Sequence, residues 1–243
     1  MFSDFMCVCF DELVNEAAKL RFMFGGKVKV PMVMRTASGA GTGAAAQHSQ
    51  SLEACLAHFP GLKVVIPSTP YDAKGLLKTA IRDDNPVMFL EQKTLYRTKG
   101  MVPEEEYSIP LGQADIKLAG SDCTVVTYGR MVNTCLTAAQ ELEKDGVRLE
   151  VIDIRSLVPL DTQTILESVK KTKHVLIVHE AVQFCGFGAE IAGQIADSDA
   201  FYYLDAPIKR LGAKSTPIPF NPILEAETFP TVPKIVAAVK SLL

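Results

Sequence analysis

The sequence of 243 residues lacks several features that would assign it directly to a functional class. None of its six cysteines forms a C-x-x-C pair, and the spacing of Cys7 and Cys9 is too tight for an ordinary zinc knuckle. No basic run exceeds two residues, which argues against a nucleic-acid surface. No apolar run approaches the roughly 18 residues of a membrane span, and no signal peptide is visible. We therefore expect a soluble, cytoplasmic protein whose cysteines are buried free thiols.

The composition that is present favours a packed globular protein. Hydrophobic residues make up 48% of the chain and charged residues 22%, which is enough apolar material for a core and too little charge for disorder. A chain of 243 residues accommodates two domains of ordinary size or one large domain.

Apolar runs alternate with helical periodicity along the first part of the chain. The pattern predicts strands at 30–35, 62–68 and 86–91, and helices at 10–26, 50–59 and 71–84. The apolar face of the helix at 50–59 comprises Leu52, Cys55, Leu56 and Phe59. Residues 1–8 resemble the end of a strand. Strands that alternate with helices of this length indicate a parallel sheet with crossover connections.

A second alternation follows a stretch of little periodicity at 93–121. It predicts strands at 123–129, 148–156, 174–180 and 208–212, and helices at 131–145, 161–171, 188–197 and 231–242. The sequence therefore predicts an α/β fold with two mainly parallel sheets. We expect one domain over residues 1–112, a linker over 113–121 and a second domain over 122–243.

The segment SGAGTGAAAQHSQS at 38–51 follows a predicted strand and precedes a predicted helix. Seven of its first nine residues are glycine or alanine, which lets a ligand or another backbone approach closely. Ligands of open α/β sheets bind at such carboxyl ends of strands. An imidazole at His48, near a helix start, is suited to donate a hydrogen bond or move a proton near neutral pH. A tight packing loop with an incidental surface histidine explains the pattern equally well.

Two other stretches carry weaker signals. CGFGAE at 185–190 resembles half of a dinucleotide-binding fingerprint, but position 191 is isoleucine, so close packing of a helix on a sheet is the favoured explanation. AIRDDNP at 80–86 ends a predicted helix, where carbonyl oxygens together with Asp83 and Asn85 could coordinate a hard cation. Taken from the residues alone, an ordinary turn between helix and strand explains this second stretch better.

Four longer stretches resemble a known family. They are DFMCVCFDELVNEAAKLRFMFGG (4–26), AAAQHSQS (44–51), PGLKVVIPSTPYDAKGLLKTAIRDDNPVMFLE (60–91), and GRMV with IDIRSLVPLD (129–132 and 152–161). They are similar to the β subunits of the E1 component of 2-oxo acid dehydrogenase complexes, those of acetoin dehydrogenases first and of pyruvate dehydrogenases next. The resemblance covers essentially the whole chain.

This resemblance implies a thiamine-diphosphate-dependent oxidoreductase. The family's β subunit has a transketolase-like pyrimidine-binding domain followed by a transketolase C-terminal domain, in line with the two predicted halves. It works with an α subunit in an α2β2 heterotetramer, and the α subunit holds the diphosphate and Mg²⁺. The expected reaction decarboxylates a 2-oxo acid or cleaves acetoin, and transfers the acyl unit to the lipoamide of the E2 acyltransferase.

The resemblance also implies roles for particular residues. His48 matches the family's active-site histidine, which would stabilise or protonate the oxygen of the cofactor-bound intermediate. Phe5 matches the aromatic residue that packs against the aminopyrimidine ring. A structural potassium site, formed mostly by backbone carbonyls, corresponds to Met32, Ala80, Ile81, Asp83 and Asn85.

One departure from the family pattern concerns the glutamate that activates the cofactor's aminopyrimidine N1′. That residue lies on an upstream strand and loop of the family, and no residue of this chain matches it. We therefore expect the chain to be N-terminally incomplete and inactive by itself. The alternative function is a fragment that only docks to the α subunit and E2. An in-frame upstream extension carrying that glutamate would favour the enzyme, and its absence would favour the docking module.

Overall fold

The computed structural model describes residues 1–243, and these form two compact units. The first unit comprises Met1–Gln113, Arg155–Leu160 and Pro217–Glu225, and the second comprises Ala114–Ile154, Asp161–Thr216 and Ala226–Leu243. The continuous ranges expected from the sequence differ from this division at residues 155–160 and 217–225. The linker expected at 113–121 is also divided between the units, after Gln113.

The regular elements alternate along the chain. The strands are β1 (Val33–Ser38), β2 (Lys63–Val65), β3 (Val87–Gln92), β4 (Asp115–Leu118), β5 (Cys123–Thr127), β6 (Leu149–Asp153), β7 (Ser156–Val158), β8 (Val175–Val182) and β9 (Lys209–Ala213). The α-helices are α1 (Ala18–Met23), α2 (Glu53–Ala57), α3 (Pro70–Arg82), α4 (Met131–Glu143), α5 (Thr162–Thr172), α6 (Gly188–Ala196), α7 (Pro222–Thr228) and α8 (Val232–Lys240). Ser3–Cys9, Lys93–Arg97 and Asp199–Tyr203 are 3₁₀-helices, and Glu12–Ala17 is π-helical.

The sheet of the first unit has the strand order β1-β3-β2-β7. β1, β3 and β2 run parallel, whereas β7 runs antiparallel to β2. The pairing of β7 with β2 explains why residues 155–160 belong to this unit. α3 begins at Pro70, with the hydroxyl of Thr69 accepting the N–H of Asp72 at 3.1 Å. Its buried face packs on β3 and β2 in the core of this unit.

The sheet of the second unit has the strand order β4-β6-β5-β8-β9. β6, β5, β8 and β9 run parallel, and β4 is antiparallel to β6. All residues of β5 and β6 are buried, as expected for parallel strands covered on both faces. The predicted α/β fold with mainly parallel sheets is confirmed. No helix in the chain is both long and apolar enough to cross a bilayer.

Two predicted elements were wrong in detail. Residues 1–8 do not end a strand but form the 3₁₀-helix Ser3–Cys9, joined to β1 by a single bridge between Phe2 and Ala37. The helix predicted at 50–59 shrinks to α2, because the Gln50 carbonyl accepts the N–H of Gly39 at 3.1 Å rather than a helical N–H.

The cysteines also depart from the expectation of burial. All six are free, but burial is complete only at Cys123 and Cys135, where it raises the thiol pKa to about 12 in each case. Cys7, Cys55 and Cys185 are exposed. On α2 the buried positions are Leu56 and Glu53, so Cys55 lies on the outer side of a helix predicted to bury it.

The glycines of CGFGAE pack against a buried histidine in the second unit. An added Cβ would lie 2.7 Å from the His179 ring at both Gly186 and Gly188. His179 is completely buried, and this burial lowers its pKa to about 4. Close packing thus accounts for the glycines, as favoured from the sequence, and leaves the dinucleotide interpretation without support.

Gly188→Ala should lower the free energy of unfolding by about 1–3 kcal/mol, because the new methyl group collides with the His179 ring and with Ile177. Gly193→Ala, on the same helix, meets nothing within 4 Å and should stabilise by about 0.5–1 kcal/mol. Urea denaturation of both variants measures the difference. Equal stabilities would contradict the packing role.

Candidate active site

The glycine-rich loop connects β1 to α2 in the first unit. It starts after Ser38, the last residue of β1, and is closed at its base by the bond from Gly39 to Gln50. His48 lies near the end of this loop and is half-buried. The loop therefore places an imidazole beyond the carboxyl end of a parallel strand, where open α/β sheets bind ligands.

Two aromatic rings from the N-terminal 3₁₀ segment surround His48. Phe2 and Phe5 approach the imidazole edge-on, with ring centroids 5.5 and 5.3 Å away. Phe5 remains 39% exposed, so part of its ring is open to a ligand. The imidazole nitrogens of His48 make no hydrogen bond within the chain, which leaves them available to a bound molecule.

Two side chains hold the backbone beside His48. The ammonium of Lys93 donates to the His48 carbonyl and lies 4.4 Å from the centroid of the Phe2 ring. The Asp4 carboxylate accepts the backbone N–H and the side-chain amide of Gln50 through Oδ1, both at 3.0 Å. Asp4 is 8% exposed, and its Oδ2 is buried without a partner. This ties the residue before Phe5 to the segment that carries His48.

A pocket of about 260 Å³ opens at the carboxyl ends of β2 and β3. Arg35, Glu91 and Tyr96 line both this pocket and an adjoining one of about 240 Å³ that reaches Phe2. Glu91 accepts from the Arg35 Nε at 2.7 Å and from the Tyr96 hydroxyl at 2.9 Å. Burial, followed by the bond to Glu91 and its charge, raises the pKa of Tyr96 to about 12. This phenol therefore stays protonated at neutral pH and acts as a donor to Glu91.

The residues expected at the potassium site lie around the turn from α3 to β3. The Ala80 carbonyl accepts the Asp83 N–H at 3.3 Å, and the Met32 carbonyl accepts the Val87 N–H at 2.9 Å. Ala80 is fully buried, whereas Ile81 is exposed. Carbonyl and carboxylate oxygens are the ligands that hard cations prefer. Each carbonyl here keeps a second lone pair that could bind a cation.

The side-chain oxygens at this turn already have partners within the chain. Lys63 pairs with the Asp83 carboxylate, and Arg21 donates to the Asn85 amide oxygen at 2.9 Å. Although burial opposes it, hydrogen bonds from Lys63 and Asn85 hold the pKa of Asp83 below its ordinary value. A cation here would therefore depend on backbone carbonyls, and the side chains of Asp83 and Asn85 would contribute little.

Sequence reasoning missed several residues of this region. They are Asp4, Arg35, Glu91, Lys93 and Tyr96. All but Tyr96 make hydrogen bonds across at least 45 positions of the chain, which no local pattern signals. Tyr96 bonds to Glu91, only five positions away. The position of Asp4 directly before Phe5 could have drawn attention to it.

Family models match both halves of the chain. The transketolase pyrimidine-binding domain matches residues 1–99, and the transketolase C-terminal domain matches residues 112–235. A solved structure described as a split-gene transketolase, an inactive β4 tetramer, superposes with a TM-score of 0.81 at 22% identity. It covers 100% of this chain and 74% of its own, and it supports the fold alone.

Curated relatives are closer in sequence. The β subunit of acetoin:2,6-dichlorophenolindophenol oxidoreductase from Bacillus subtilis is 52% identical over 100% of this chain and 71% of its own length. The pyruvate dehydrogenase E1 β subunit of Rickettsia felis is 48% identical over 98% of this chain and 73% of its own. The 2-oxoisovalerate dehydrogenase β subunit of Bacillus subtilis is 44% identical over 99% and 74%.

The fold and the domain matches define a protein of the transketolase-like class, in which a pyrimidine-binding domain precedes a C-terminal α/β domain. Within this class, the chain is 44–52% identical over nearly its whole length to the curated β subunits named above. The chain belongs to the family of E1 β subunits of acetoin and 2-oxo acid dehydrogenases, and the resemblance found in the sequence is confirmed.

Proposed function

We propose that this chain is the β subunit of a thiamine-diphosphate-dependent E1 that cleaves acetoin or decarboxylates a 2-oxo acid and passes the acyl unit to E2 lipoamide. The observation that carries the proposal is the placement of His48 against Phe5, in a chain 52% identical to an acetoin oxidoreductase β subunit. The partners proposed are an α subunit in an α2β2 assembly and the E2 acyltransferase.

The residues around His48 suit an aromatic heterocycle. The open part of the Phe5 ring would pack on the aminopyrimidine, and stacking of this kind contributes about 0.5–1.5 kcal/mol beyond buried area. Thiamine diphosphate, when bound, supplies a carbon nucleophile for the substrate carbonyl, with its diphosphate and Mg²⁺ on the α subunit. His48 would donate a hydrogen bond or a proton from an imidazole nitrogen to the oxygen that gains charge.

Reconstitution with an α subunit tests this function. The 243-residue chain and a version that also carries a relative's N-terminal segment with the activating glutamate are each purified with that relative's α subunit. The extended chain should support dye-linked oxidation of acetoin, whereas the 243-residue chain should not, because no residue in it matches that glutamate. Pyruvate and a branched 2-oxo acid serve as competing substrates. Turnover of one of them identifies the acyl donor. Stable binding of α by the extended chain without turnover of any substrate would favour the docking module instead.

Potassium should stabilise the first unit through the carbonyls of Met32, Ala80, Ile81 and Asp83, near Asn85. A ligand that binds the native state alone raises stability by RT ln(1 + [L]/Kd). The melting temperature should therefore rise with KCl beyond a control of tetramethylammonium chloride at equal ionic strength. Coincident curves for the two salts would contradict the site.

A further inference from the structure

The glycine loop folds around a carboxylate of its own chain. The N–H of Gly41 donates to Oε1 of Glu225 at 2.8 Å, and the N–H of Gly43 donates to Oε2 at 3.1 Å. Glu225 follows Gly41 by 184 positions, yet both residues belong to the first unit. Glu225 is only 4% exposed, so the carboxylate that receives these two bonds is buried.

The backbone of the loop is shaped to receive an anion. Every second residue has a positive φ: 80° at Gly39, 92° at Gly41, 66° at Gly43 and 61° at Ala45. Such alternation turns N–H groups toward one side and forms a concave nest for a negative charge. Glycine adopts positive φ without steric cost, whereas other residues rarely do. The glycines at 39, 41 and 43 are therefore explained by the conformation that holds Glu225.

The nest is linked to His48 through a short run of backbone. Ala45, the last of the positive-φ residues, accepts the His48 N–H at 3.4 Å. Gly39 and Gln50 close the loop on the other side. Because these bonds tie the loop at both ends, we expect a shift of Gly41 or Gly43 to be passed on to His48.

We propose that Glu225 is a positioning residue for His48, acting through the glycine loop. Glu225 itself touches no reacting atom in this scheme. Its carboxylate fixes the backbone at Gly41 and Gly43, and this backbone sets where the imidazole stands relative to Phe5. The inference rests on the proposed function, because it assigns His48 a task in that reaction.

Glu225→Gln tests the two-point contact with almost no change in size. A glutamine side chain offers one acceptor oxygen, and its NH₂ group then faces the second glycine N–H. Losing a hydrogen bond to a charged group should accelerate amide exchange in the 39–46 peptide by about 10-fold or more. Glu227→Gln, an exposed position on the same helix, is the control and should leave that exchange unchanged.

The kinetic arm uses the same variants in the N-terminally extended chain, assembled with the α subunit. Glu225→Gln should lower kcat by about 10-fold while the KM for substrate changes little. A misplaced His48 imidazole stabilises the oxygen that gains charge during the reaction less well, whereas it contributes little to substrate binding. Glu225→Asp keeps the charge but has one methylene less, and should recover part of the kcat. A purely structural role would instead reduce the amount of folded protein without this graded kcat.

The outcomes separate the two proposals. Unchanged exchange at 39–46 in Glu225→Gln overturns the positioning role, as does faster exchange with an unaltered kcat. If Glu225→Gln fails to fold, Glu225→Asp takes its place with the same two readouts. No turnover by the N-terminally extended chain with α would reject the proposed function and this role with it, whereas normal turnover of the extended chain combined with either negative result rejects the positioning role alone.

Discussion

His48→Ala should lower kcat of the assembled enzyme by about 10²–10³-fold, equivalent to roughly 2.7–4 kcal/mol, the effect of removing one donor from a developing oxyanion. The imidazole nitrogens are unbonded within the chain, and the ring stands between Phe2 and Phe5 at centroid distances of 5.5 and 5.3 Å. Truncation therefore removes the donor without breaking a structural hydrogen bond. Steady-state oxidation of acetoin by the N-terminally extended chain, with α present, measures the loss.

Cofactor binding should be nearly unaffected by the same change. The pyrimidine would still meet Phe5, and the diphosphate contacts are proposed to belong to the α subunit, so titration calorimetry should give a similar Kd for thiamine diphosphate. His58→Ala is the matched control, since His58 is an exposed histidine outside the glycine loop and should leave kcat unchanged. A His48→Ala enzyme with the kcat of the unaltered protein would reject the assigned role.

Arg155→Leu should destabilise the first unit by about 3–5 kcal/mol, because it leaves the buried carboxylate of Asp72 without its countercharge. The Arg155 Nη1 donates to the Asp72 Oδ1 at 3.1 Å, and Arg155 Nε donates to the Gln113 carbonyl at 3.1 Å. Asp72 is fully buried and Arg155 is 6% exposed. The pair connects the segment before β7 to the first turn of α3, and urea denaturation measures its loss.

Two further variants make this result specific. Lys29→Leu removes one partner of the exposed pair with Asp84, whose side chains are 66% and 43% exposed, and should cost less than about 1 kcal/mol. The double variant Arg155→Leu with Asp72→Leu should recover much of the lost stability, since a buried pair replaced by apolar groups is often nearly neutral. A single variant as stable as Lys29→Leu would show that Arg155 and Asp72 are not coupled.

The sequence predicted the elements whose signal is local. β3 and α3 were expected at 86–91 and 71–84 and lie at Val87–Gln92 and Pro70–Arg82. Their apolar residues repeat with the period of a strand or a helix. This pattern can be recognised without knowing which segments pack against the element. β7 was missed because the strand predicted at 148–156 reached only its first residue, Ser156, and three residues carry little pattern of their own. α7 was missed because seven residues carry too little periodicity. The extra strand is defined by its antiparallel pairing with β2, a contact between distant segments.

The candidate site shows the same division. The sequence was enough to identify Phe5 and His48 as candidate site residues. It was also enough to show that the glycines between 39 and 43 let another group approach the backbone closely. The meeting of Phe5 and His48 at 5.3 Å could not be identified in this way, since 43 positions separate the two rings.

The sequence by itself therefore determined the α/β class, the order of most elements, the family, and the glycine loop that carries His48. Each of these depends on residue identity and short-range spacing. Tertiary structure alone decided that Glu225 fills the glycine nest, that Arg155 neutralises Asp72, and that Lys93 holds the His48 carbonyl. These contacts join residues 45 to 184 positions apart, and their stabilisation comes from burial and charge pairing that exist once the chain has folded.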